Sequence, residues 1–177
     1  MEEPFRIRRA ATGDELALAT VHVESLRKTL LGILPRDRLN LLQVDERERF
    51  WAGQLENEAA RRYLFVAEDD ERVVGFAAGG AERTGDPVFR GELLGLHVLV
   101  GEAAAPLART VAAELARAGL TTMLAWVPAE SPHARLFATL GASPVRLRRV
   151  RMAGTSFEEV GFGWLDTRAP PLATPSG

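Results

Sequence analysis

Apolar positions along the chain change period several times, and each change marks an element. FRIRRA, residues 5–10, alternates apolar and polar side chains as a half-buried strand does. Leu16, Ala19, Val23, Leu26 and Leu30 then recur at helical spacing, predicting a helix to about Leu31 that is broken by Gly32 and Pro35. Thr12-Gly13-Asp14-Glu15 ahead of it reads as a capping box, in which Thr12 accepts from the Glu15 N–H and Glu15 reaches back. A second helix is predicted over residues 44–62, with Phe50, Trp51 and Leu55 as its apolar face. YLFVAED and RVVGFAAGG are two strands around a polar turn at residues 69–72.

FRGELLGLHVLV, residues 89–100, is apolar on both faces, as a central strand is. Unbroken alternation places Glu92, Leu94, Leu96 and Val98 on one face and His97 on the other. The next helix carries Pro106 in its first turn, a buried stripe of Leu107, Val111 and Leu115, and Gly119 just past its end. TTMLAWV is a further strand, SPHARLFATLG a short helix, and PVRLRRVRM with FEEVGFGWLD a closing strand pair. The order β-α-α-β-β-β-α-β-α-β-β predicts a mixed α/β (α+β) fold. Its core is a mostly antiparallel twisted sheet of about seven strands, with helices on both faces. Residues 1–166 read as one domain and the proline-rich residues 167–177 as a mobile tail.

Composition removes several classes of function. A chain of 177 residues with net charge −2 has no basic footprint for nucleic acid or an anionic membrane. It lacks an 18-residue apolar run and a signal-peptide core, so a cytoplasmic location is expected. Without cysteine there is no disulfide framework, thiolate ligand or cysteine nucleophile. The three histidines lie too far apart for metal-ligand spacing, and no metal is expected. His22 and His133 read as surface residues. His97 reads either as a base or ligand-orienting group, or as a packed strand histidine satisfied by a neighbour.

VHVESLRKTLLGILP, GELLGLHVLV, SPHARLFATLGASPV and FEEVGFGW, in that order, resemble one bacterial branch of the GNAT superfamily of acyl-CoA-dependent N-acetyltransferases. The resemblance runs to about Leu165. It implies transfer of an acetyl group from acetyl-CoA to a primary amine of a small molecule or peptide, by direct attack. It also implies a central strand splayed at a bulge, where Leu96, His97 and Val98 meet the pantetheine arm of the cofactor. The family's pyrophosphate loop, Gln/Arg-x-x-Gly-x-Gly/Ala, aligns with Ala103–Ala108. Cofactor contacts are thereby implied at Ala104, Leu107, Ala108 and Arg109, and, from the later helix, at Ser131 and Phe137. Glu92 matches the position of the family's general base. Leu26 and Leu30 stand where the branch carries aromatic residues of the acceptor site, and read either as a more apolar acceptor wall or as leucines on a core face. The closing strands could pair two copies in a homodimer, or their Phe162 and Trp164 could equally be core.

The chain also departs from the family. Ala103 replaces a polar residue, Pro106 a glycine, Ser131 an asparagine, and Phe137 the tyrosine that often protonates the leaving thiolate. A proline brings no N–H to a phosphate. Since charge-assisted hydrogen bonds are worth about 1.5–3 kcal/mol each, the losses at the loop amount to roughly 10²- to 10⁴-fold in affinity. Two readings stay open: an enzyme with a weakened cofactor loop, or a non-catalytic GNAT-fold protein whose cleft serves another ligand or a protein partner. Glu92 has its own alternatives, a partly desolvated base or a glutamate at a strand end in free contact with water.

Overall fold

The structure, a computed structural model, describes residues 5–70, 72–169, 171 and 172. Strand β1 (Arg6–Arg9) is followed by α1 (Glu15–Thr29), the one-turn α2 (Arg36–Leu39), α3 (Val44–Glu56) and the one-turn α4 (Glu58–Arg61). Strands β2 (Leu64–Asp69), β3 (Arg72–Ala81) and β4 (Gly91–Val98) come next, then a 3-10 turn at Gly101–Ala103 and α5 (Ala104–Arg117). Strand β5 (Met123–Pro128), α6 (Pro132–Thr139), β6 (Ser143–Met152) and β7 (Thr155–Trp164) complete the chain. This is the expected order with two short helices added.

Local chemistry accounts for where the boundaries differ. Asn57 divides the long helix expected over residues 44–62, because its side chain accepts from the N–H groups of Ala59 and Ala60 and caps α4. The capping box does not form. The N-cap of α1 is Asp14, whose carboxylate accepts from the Ala11 N–H and from Arg8 at 2.7 and 2.8 Å, while Glu15 accepts from the Gly13 N–H. On α3, Trp51 and Leu55 are buried as expected, but Phe50 is 46% exposed.

The seven strands run β1-β2-β3-β4-β5-β7-β6, with β4 and β5 the one parallel pair among the described strands. Two apolar layers flank the sheet. Leu107, Val111 and Leu115 of α5 are fully buried on one side, in a core that also holds Leu93, Leu96, Met123 and Trp164. Leu18, Val21, Trp51 and Leu55 cover Leu64, Val66 and Phe76 on the other. Past the end of α5, Gly119 adopts φ +81°, a conformation that costs an L side chain strain.

The decisive irregularity lies in β4. Ala78 pairs with Gly95 but Gly79 pairs with Leu93, so Leu94 is an extra residue, a β-bulge. A bulge flips the alternation beyond it. Leu93 and Leu96 accordingly both enter the α5-side core, which turns Glu92 and His97 to the opposite face together. The expectation that these two residues face apart is corrected by this one inserted residue. Beyond the bulge β4 also leaves β5: their pairing is confined to Gly91–Leu93 against Met123–Ala125.

The start of the proline-rich tail is docked rather than mobile. The Thr167 N–H donates to the Thr121 carbonyl at 2.9 Å, and Leu172 is 1% exposed within the α5-side core. Residues 173–177 lie outside the described residues. Leu172→Ala is therefore expected to cost about 2–5 kcal/mol, the range for a buried leucine, measured by urea unfolding of the full chain. An unchanged midpoint would mean that the tail is not part of the fold.

Candidate functional site

The gap between β4 and β5 is the centre of a chain of three cavities. A cleft of about 160 Å³ follows the gap, walled by residues 93–97 of β4 and residues 125–128 of β5, with Phe137 of α6 and Ser131 at its N-cap. At the start of α5 it adjoins a larger cavity of about 470 Å³, lined by Ser25, Lys28, Val98, Gly101 and Ala104, and the two share His133. On the α1–α3 side lies a third, of about 260 Å³, walled by Phe50, Trp51, Phe76 and Leu94. The cleft and this third cavity share Leu94, Gly95 and His97. The bulge is thus where two approaches meet.

His97 stands at that junction. Its ring lies 4.4 Å from that of His22 and 5.0 Å from that of Phe76, and Trp51 packs on both His22 and Phe76. Trp51 Nε1–H donates to His22 Nδ1 at 3.2 Å. Burial pushes the His97 pKa well below that of an ordinary histidine, reinforced by the charges that His22, His133 and Arg47 would carry or do carry. Burial, with help from Arg47, lowers His22 to about 4, and burial also lowers His133. His22 and His133, expected at the surface, are both half-buried in the walls of these cavities. Gly95 keeps the ring accessible, since a Cβ there would stand 3.3 Å from His97 Nε2.

Glu92 is neither water-exposed nor free. It is 2% exposed, and Arg83 holds its carboxylate through Nη2 at 3.0 Å, Nε at 3.2 Å and its backbone N–H at 3.3 Å. The pairing raises the Arg83 pKa above its usual value. With three donors from a single residue on its two oxygens, this carboxylate is built to hold Arg83 against the sheet.

The other anticipated residues divide. Leu96, His97, Ser131 and Phe137 line the cleft, as do Leu26 and Leu30, while Val98 and Ala104 line the large cavity. Ser131 caps α6, accepting from the His133 N–H. Leu107 and Ala108 point into the core, and Arg109 Nε donates to the Pro171 carbonyl at 3.4 Å. Pro106 does not line the large cavity. The 3-10 turn explains why. It uses the N–H groups of Ala103 and Ala104, which donate to Val100 and Gly101, and so moves the helical start upstream. Leu107, fourth in α5, sits where a helix begins its internal ladder, and the donors such a turn leaves open belong to Gly101 and Glu102. The missing N–H of Pro106 is therefore not taken from the cavity mouth.

Lys28 escaped the sequence reading. Ser25, Lys28 and Thr29 fall at i, i+3 and i+4 on α1, one helical face, and all three line the large cavity. That spacing was the available signal. Trp126 is another: it lines the cleft, and its Nε1–H is buried without an acceptor among the described residues. Among the described residues no three His, Cys, Asp or Glu side chains cluster to hold a metal, and no helix is long and apolar enough to cross a membrane.

A seven-stranded sheet parted at a bulge in its fourth strand, with a helix start at the mouth of the gap, defines an acyltransferase of the GNAT type. Comparison with known proteins agrees. The chain is 30% identical over 168 residues to the uncharacterized N-acetyltransferase YuaI of Bacillus subtilis, spanning 92% of this chain and 94% of that one. Ribosomal-protein-alanine N-acetyltransferase from Brucella melitensis has the same fold, with a TM-score of 0.69 at 19% identity over 90% of this chain and 98% of its own. So does yncA from Salmonella typhimurium, solved with its cofactor acetyl-CoA, with a TM-score of 0.66 at 19% identity over 96% and 98%. No family model matches. The chain belongs to the GNAT family of N-acetyltransferases.

The buried imidazoles have a consequence for stability. A histidine held neutral in the fold, with its pKa below the unfolded value of about 6.5, contributes stability that is complete above that pH. The contribution is lost as pH falls toward the folded value, which for His22 is about 4. The melting temperature is expected to drop across the window from pH 6.5 to 4, and a His22→Gln/His97→Gln variant should show a flatter profile there. Equal slopes in the two proteins would show that the imidazoles are not buried neutral.

Proposed function

We propose that this protein transfers an acetyl group from acetyl-CoA to a primary amine, with His97 receiving the proton that the acceptor nitrogen sheds on becoming an amide. The supporting observation is that His97, neutral and ring-packed, lines both the cleft and the aromatic-walled cavity at the bulge. Acetyl-CoA, when bound, would supply an activated acyl group whose C–S bond breaks as the amide C–N bond forms, with CoA leaving as a thiolate that takes its proton from water. The parted strands, the orphan Trp126 N–H, Lys28 and the upstream turn are suited to a long, amide-bearing, phosphorylated molecule.

The chain's own residues provide orientation and proton transfer. Ser25 Oγ lies 2.8 Å from His97 Nδ1 and 3.1 Å from the His22 carbonyl oxygen. A hydroxyl has one proton. Donated to the His22 carbonyl, it leaves Oγ to accept from His97 Nδ1–H, which puts the ring's lone pair on Nε2, the edge that Gly95 leaves open. In this reading Ser25 positions His97, and Glu92 anchors Arg83 instead of acting as the base. A low-pKa imidazole is a weak base toward a free ammonium, yet suits an amine nitrogen that becomes acidic as its bond to the acyl carbon forms. Phe137, 1% exposed, offers packing and no proton.

His97→Gln is expected to lower kcat about 10²- to 10⁴-fold, the range for loss of a general base, with acetyl-CoA affinity by titration calorimetry unchanged. Ser25→Ala should lower kcat less and shift its pH profile. Lys28→Gln should weaken acetyl-CoA about tenfold or more, a charge-assisted contact to phosphate being worth about 1.5–3 kcal/mol. Wild-type chain giving no heat with millimolar acetyl-CoA and no thiol release with any amine would refute acetyl transfer.

A further inference from the structure

Resting on that reading, we infer that the acceptor is a small primary amine carried on a flat apolar group, an aralkylamine, and not a polyamine or a lysine side chain. The third cavity makes the case. Its walls include Phe50, Trp51, Phe76, Leu64 and Leu94, three aromatic and two aliphatic side chains, with His22, Gln54 and Arg83 as the polar part and His97 at the end. Trp51 stands nearly perpendicular to Phe50 and to Phe76, with ring centroids 5.0 and 4.9 Å away, so the buried Trp51 and Phe76 form a packed aromatic backing for the exposed Phe50.

Two of these side chains have no cover of their own. Phe50 is 46% and Leu94 38% exposed, and they stand on different elements, α3 and the bulge of β4, facing one hollow. Bulky apolar groups that converge on a concave space gain by burying a ligand's apolar surface. The size suits one ring with a short arm: a cavity of about 150 Å³ already accepts benzene, and this one is about 260 Å³. A ring against Trp51 and Phe50 would leave its arm directed at His97 and Gly95, where the cleft enters.

Charge excludes the alternatives. The charged side chain in the wall is Arg83, already matched by Glu92, and Arg47 adds positive potential felt by both His22 and His97. No carboxylate lines the cavity among the described residues. A second or third ammonium would be desolvated beside cations with no counter-charge, whereas a single amine would be pressed toward its neutral, nucleophilic form.

The test is steady-state acetyl transfer by the full chain, followed as thiol release, with phenethylamine, tryptamine, spermidine and an acetyl-capped lysine peptide. The aralkylamines are expected to exceed spermidine and the peptide at least 100-fold in kcat/KM. Phe50→Ala, an exposed position whose loss leaves the fold intact, should raise the KM for phenethylamine about tenfold while kcat changes little. Binding gives a second readout: phenethylamine should quench tryptophan fluorescence in the wild type and not in Trp51→Phe. Spermidine or the peptide turned over as well as phenethylamine would overturn the assignment, as would an unchanged KM in Phe50→Ala. Quenching through Trp51 with no transfer to any amine would support the aromatic pocket and refute acetyl transfer instead.

Discussion

One extra residue in the fourth strand governs this protein. Because Leu94 has no partner on β3, the strand bends, its alternation reverses, and β5 can no longer follow it. A strand normally has every edge N–H and C=O committed to its neighbours. Here the commitment is broken on one side for the length of residues 94–98, which opens a cleft without unfolding anything else. The same reversal brings His97 to the face of the α1–α3 aromatic cluster. The cleft, the placement of His97 and the mouth of the aromatic-walled cavity are consequences of a single local geometry.

Around that break the packing is conservative. Small and branched side chains of α5 fill the layer behind the sheet, and the opposite layer mixes aliphatic residues with a cluster of rings. The polar groups drawn into the second layer are few and each is held: His97 by Ser25, His22 by Trp51, Glu92 by Arg83. Buried polar groups with fixed partners define a geometry more sharply than apolar contacts do, at the cost of desolvation. That cost falls where orientation matters most.

Most of the fold was legible in the chain. The alternation of FRIRRA, the stripe of Leu107, Val111 and Leu115, and the glycine stop at Gly119 each announce an element that the structure contains. What could not be read were the events that break periodicity. Parity along GELLGLHV predicts Glu92 and His97 apart, since nothing in that string marks Leu94 as unpaired until β3 is aligned beside it. The 3-10 turn that shifts the helix start ahead of Pro106 is hidden for a similar reason: it has no strong signature in VGEAAAP. Lys28 and Ser25 were visible as one helical face, but that this face looks onto a cavity depends on the sheet's twist and the position of α5, which are tertiary facts. Leu172, one apolar residue among prolines, gave no periodic signal at all.

The short pairing between β4 and β5 leaves the molecule in two leaves bound along a narrow seam. Three residue pairs stitch it, Gly91–Leu93 to Met123–Ala125, beside an apolar core in which Leu107, Val111, Leu115, Met123 and Trp164 all take part. Dispersion contacts yield to small sliding motions in a way that ladder hydrogen bonds do not. Any widening of the cleft along this seam would have to break those three pairings, while every other strand keeps its own partners.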